Sequence, residues 1–192
     1  MKQSLMLLVF TIVAYSLSGA QDESCSAVMT TSANSITFLE EQKETRQSSC
    51  ISSVITHLGR VHDVDAVHVL ASYLDFVDPA TSSRSGGFAD VRPEYPAVGA
   101  LFQIGKPATR ELLSAIEGSG SPKVRLNAAK AYQAIYRDDL ASGIRLLRSE
   151  ELAANSTNAQ SSLRRVLRML IEDCTQRSEQ ESQACRDAAR RD

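Results

Sequence analysis

Residues 95–116, YPAVGALFQIGKPATRELLSAI, and residues 126–147, LNAAKAYQAIYRDDLASGIRLL, are one helical-hairpin pattern written twice, 31 residues apart. At that offset Ala97, Ala100, Leu101, Ile104, Leu113 and Ile116 fall on Ala128, Ala131, Tyr132, Ile135, Ile144 and Leu147. Small and large apolar residues recur at helical spacing, break for two or three positions, and resume. A unit of this length cannot close a core of its own and must stack on neighbours, which predicts an all-α fold, a short α-solenoid. Solenoids present surfaces and rarely perform chemistry.

The same punctuation extends in both directions. Ile51, Val54, Ile55 and Leu58 lie on one helical face, with Gly59 read as the helix stop. Asp63 or Asp65 is placed to cap a second helix carrying Ala66, Val67, Leu70, Tyr73 and Leu74. GSGSP at 118–122 reads as a turn between copies, and Pro107 suits a first helical turn, where its missing N–H costs nothing. Residues 158–171 form a further amphipathic helix through Leu163, Val166, Leu167, Leu170 and Ile171. The polar end, 172–192, reads as a capping helix with Ala184, Ala188 and Ala189 on a weak apolar side. Residues 21–35 are rich in Ser and Thr and read as a loose lead-in, within an N-terminal extension reaching residue 44.

The first twenty residues read as a secretory signal: Lys2, a mostly apolar run from Leu5 to Leu17, then Ser18-Gly19-Ala20 before Gln21. That places the mature chain outside the cytoplasm, secreted or periplasmic. The four cysteines, Cys25, Cys50, Cys174 and Cys185, then favour disulfides over free thiols. Three connectivities are possible. Proximity in sequence selects Cys25–Cys50 and Cys174–Cys185, each tethering a terminus with little apolar surface.

The stretch TRQSSCISSVITHLGRVHDVDAVHVLASYLDF, residues 45–76, resembles a HEAT-like repeat of the bacterial type. In that family the first helix ends in Leu-Gly and the second begins Asp-x-x-Ala-Val. Leu58-Gly59, Asp63 and Ala66-Val67 follow the layout, and Ile104-Gly105-Lys106-Pro107-Ala108 is closer still to the family's inter-helix turn. Val64 and Asp65 lengthen the first turn, and Tyr136-Arg137-Asp138 stands where Gly-Lys-Pro is usual. The resemblance covers residues 45–171 and implies a right-handed superhelix whose second helices line a concave binding face. It implies no particular ligand.

Catalytic signatures are absent: no GxSxG, no HExxH, no Gly-rich phosphate loop and no cofactor motif. His57, His62 and His68 cluster beside Asp63 and Asp65, and imidazole with carboxylate suits transition metals. Their spacings of five and six put no two on one helical face, so ordinary histidines near a turn are the simpler reading.

Charge is segregated. Residues 21–105 carry 5 basic and 11 acidic side chains, whereas 106–168 carry 11 and 6. Arg145, Arg148, Arg164, Arg165 and Arg168 fall on helices adjacent in a stack. They form a basic patch for an acidic protein, a polysaccharide or anionic lipid heads, or else a solvated face paired with Glu150, Glu151 and Glu172. Export and the lack of interleaved aromatics disfavour nucleic acid. The loop 77–94, with Arg84, Phe88 and Arg92 beside Tyr95, either recognises a partner or is an insertion without a role. Asn155-Ser156-Thr157 is a glycosylation sequon, relevant only in a eukaryotic secretory route. The leading expectation is an exported scaffold that binds a protein or polymer. The competing classes are a metal-dependent enzyme using the three histidines and a structural envelope module.

Overall fold

Helix starts follow from side chains that satisfy the first free backbone N–H groups. A computed structural model describes residues 25–81 and 94–190, and every regular element in them is helical. Thr31 accepts from the Asn34 N–H to open α1 (Ser32–Gln42), and Ser121 accepts from Val124 to open α6 (Pro122–Ile135). Asp139 caps α7 (Leu140–Ala153), Ser156 caps α8 (Thr157–Thr175) and Ser178 caps α9 (Glu179–Ala189). Between α1 and α6 lie α2 (Ile51–Arg60), the short α3 (Val67–Ala71), α4 (Pro96–Ile104) and α5 (Thr109–Gly118). A 3-10 turn, Lys106–Ala108, leads into α5 and holds Pro107 at its start. Among the described residues no helix is long and apolar enough to cross a membrane.

Two pairs of helix boundaries recur at a spacing of 31 residues. α4 and α6 end at Ile104 and Ile135, and α5 and α7 begin at Thr109 and Leu140. Of the twelve matched apolar positions, all are buried except Ile135, which is half-buried. α4 packs against both α2 and α6, α3 packs on α5, and α8 packs against α5 and α7. The two inter-helix turns also meet: the Lys106 ammonium lies 3.7 Å from the Asp139 carboxylate and 5.8 Å from the centre of the Tyr136 ring. Tyr136 takes the place of the expected turn glycine because it fills space. Its ring stacks on Tyr132 at 4.7 Å, its hydroxyl meets Thr109 Oγ1 at 3.2 Å, and it packs where a Cβ on Gly143 would come within 2.9 Å.

Four local expectations need correction. Gly59 does not stop α2; it lies buried inside the helix. A Cβ there would sit 2.5 Å from Ala100 Cα, so glycine is what lets α2 and α4 approach. His62 ends the helix instead, at φ +53°, with its N–H bonded to Gly59 O (3.1 Å) and the Asp63 N–H bonded to Leu58 O (3.2 Å). Neither Asp63 nor Asp65 caps α3, whose N-cap is Ala66 without a side-chain bond; Asp63 accepts from the Asp65 N–H at 2.9 Å and shapes the turn. The segment read as a loose lead-in already belongs to α1 from Ser32, and Ser35 is buried, donating to Val28 O at 3.3 Å. On α9 the buried side is Ser182, Cys185 and Ala188, while Ala184 is exposed, because the helix is set by its docking on α7 and α8.

Both expected disulfides are formed. Cys25–Cys50 joins the residues before α1 to the start of α2, with Cα atoms 5.3 Å apart. Cys174–Cys185 joins α8 to α9 at 6.4 Å. Arg46, in the turn after α1, ties the same end down: it pairs with Asp75 at 2.6 Å, donates to Ser72 O and lies 5.2 Å over the Tyr73 ring. The two disulfides are compatible with an extracytoplasmic compartment.

Candidate functional site

The basic patch divides into two parts with different chemistry. Glu151, on α7, is 3 % exposed, and a carboxylate that deep needs partners. Arg148, one helical turn earlier, donates to it at 2.5 Å, and Arg164, from α8, donates through Nε at 2.8 Å. Burial would raise the Glu151 carboxyl, but the hydrogen bonds and charges of Arg164 and Arg148 outweigh that and hold it below the ordinary carboxylate range. Arg164 therefore joins α8 to α7 through Glu151, and Arg148 meets the same carboxylate from within α7. Arg145 is exposed and donates to Ser142 Oγ at 2.8 Å, and Arg168 lies exposed one turn beyond Arg164.

Arg165 points to a separate place. The α8 residues Ser161, Ser162, Arg165, Val166 and Met169 line a groove of about 160 Å³. Pro122, Arg125, Leu126 and Ala129 of α6 form the opposite wall, and Ile116 of α5 closes it. The groove exists because α8 packs on α5 while touching α6 only lightly, leaving the first half of α6 uncovered. Leu126 is accordingly 47 % exposed. Arg125 is held in place by donating to Ser119 O in the preceding turn. No acidic side chain lines the groove, and Arg165 makes no ion pair among the described residues. The nearest carboxylate in sequence, Glu117, is raised above its ordinary range by burial and then by the charge of Glu150.

The histidines go to different neighbours. His62 Nδ1 lies 2.6 Å from Gln103 O at the end of α4, and His68 Nδ1 lies 3.0 Å from Glu111 of α5. His57, half-buried on α2, borders a shallow polar depression with Ser53, Thr56, Arg60 and Asp78. Among the described residues no three His, Cys, Asp or Glu side chains are grouped to hold a metal ion. Arg84, Phe88 and Arg92 lie outside the described residues; the loop that carries them is bounded by a hydrogen bond from the Asp78 N–H to Glu94 O at 3.0 Å. Asn155 is exposed in the bend between α7 and α8.

Charge and periodicity singled out Arg165 but missed Arg125, Leu126 and Met169. The available signal was Leu126 itself, which aligns with Tyr95 at the start of the first copy and continues the apolar stripe with no partner assigned to it. Comparison with family models, curated proteins and solved structures gave no match.

Proposed function

We propose that this chain is an exported binding protein built from HEAT-like hairpins, which holds a protein partner and does not transform a small molecule. The in-register turns, the row α2–α4–α6 and the placement of α3 beside α5 support a stacked array. In this reading α8 and α9 close the end of the array. The expected face along α5 and α7 is packed against by α8, so the docking surface is the groove beside it. The apolar run at 5–17 and the disulfides support export.

The observation that carries the reading is the α5/α6/α8 groove, with an apolar lining flanked by Arg125 and Arg165 and no acid among the described residues that line it. Interfaces concentrate binding energy in such places, where one partner side chain fills a pocket ringed by polar groups. The test is capture from the compartment that contains the protein, comparing the mature oxidised chain with Leu126→Glu. The reading expects a discrete polypeptide retained by the native chain and lost from the variant. Identical capture by both, or none, contradicts it.

A further inference from the structure

The groove restricts what can occupy it. At about 160 Å³ it is smaller than the ~300–1,000 Å³ usual for cofactor and small-molecule pockets. It suits one bulky side chain. Leu126, Ala129, Val166 and Met169 supply an apolar lining, and methionine adapts to different shapes at low cost. Arg125 and Arg165 stand on opposite walls, and Ser161 and Ser162 add hydroxyls. Arg164, the residue next to Arg165, is already bonded to Glu151. Arg165 makes no such pair among the described residues, and the surrounding block 106–168 carries 11 basic against 6 acidic side chains.

Resting on the binding-protein reading above, we infer that the groove takes an acidic segment of a partner polypeptide bearing one large aliphatic or aromatic residue beside a carboxylate. The apolar side chain enters between Leu126 and Met169. The carboxylate meets Arg165, whose planar fork suits two-point recognition of carboxylate oxygens. The low-dielectric base strengthens that pair relative to one in open water. Charge complementarity excludes a basic segment, and the small volume excludes an acyl chain. Exposed large apolar side chains elsewhere among the described residues, at Val61, Val64 and Leu152, do not line this groove.

The test is a nuclear magnetic resonance titration of the isotope-labelled mature chain, both disulfides intact, with the blocked peptide Asp-Glu-Leu-Phe-Glu-Asp. Two controls replace Leu-Phe by Ser-Ser, or every acid by Lys, and a third titrant is phosphatidylglycerol vesicles. Shifts should appear at the amides of residues 122–129 and 161–169 with the acidic apolar peptide alone. Affinity should fall about threefold in Arg165→Gln, as expected for a partly exposed pair, and stay unchanged in Arg164→Gln. It should also weaken as salt rises from about 50 to about 500 mM. Equal shifts with the Lys peptide, shifts with vesicles only, or none in these segments would overturn the inference. If partner capture still depends on Leu126 while the acidic peptide fails, only this inference falls; if both fail, the binding reading falls with it.

Discussion

A carboxylate left 3 % exposed between two helices needs its charge met, and Glu151 is met from both sides. Buried ion pairs often add little net stability, yet removing one member leaves the others uncompensated. Arg148 is only 14 % exposed, so Glu151→Gln should cost about 2–3 kcal/mol, the scale of hydrogen bonds to charged groups. By calorimetry that lowers Tm by about 4–12 °C in a chain of this size. Arg164 is half exposed at 52 %, and Arg164→Gln should cost about 1 kcal/mol or less. The sign with pH is fixed by the lowered carboxyl. Its contribution is complete above the ordinary value of 4.5 and is lost as pH falls through the lower folded value. The stability gap between the native chain and Glu151→Gln should therefore shrink across that acidic window. A gap that stays constant to strongly acidic pH contradicts the clamp.

At the scale of elements, Gly59 decides how near α2 stands to α4. Glycine to alanine inside a helix ordinarily stabilises by up to about 1 kcal/mol. Here the added Cβ would lie 2.5 Å from backbone, so Gly59→Ala should destabilise by about 1–3 kcal/mol. Gly120→Ala, with nothing within 4 Å, should stay within about 0.5 kcal/mol by denaturant unfolding. Replacing Cys174 and Cys185 with Ser should cost about 3 kcal/mol. Amide exchange should then quicken first in α9; a uniform rise through α2–α6 would show that the bridge does not tether that element. What the sequence made legible follows the same division. Helical periodicity and punctuation placed the turns that separate α4, α5, α6 and α7, and short sequence separation selected both disulfides. Gly59 was misread because the glycine that ends a helix and the glycine that admits a neighbour look alike without the neighbour. His62 went unread as a helix end because a left-handed non-glycine residue carries no composition signal. The Arg164–Glu151 bond and the groove depend on α8 lying against α5 and α7, a placement the periodicity of α8 alone does not specify.

For the molecule as a whole, one charge sign does two things: Arg164, with Arg148 beside it on Glu151, fastens α8 to α7, and Arg165 with Arg125 rims the opening beside Leu126. Substitutions should separate these roles. Arg164→Gln shifts stability and spares binding, whereas Arg165→Gln spares stability and weakens binding. The most direct test of the account places a photo-crosslinking residue at Leu126 in the full chain, expressed where it is normally exported, and a second one at Val64 as a control. Val64 is comparably exposed, at 53 % against 47 %, but lies in the α2–α3 turn, away from the groove lining. A discrete protein adduct is expected from Leu126, absent from Val64, mapping to an acidic stretch with a large apolar residue and diminished by Arg165→Gln. Equal adducts from both positions, or none from Leu126, would contradict it.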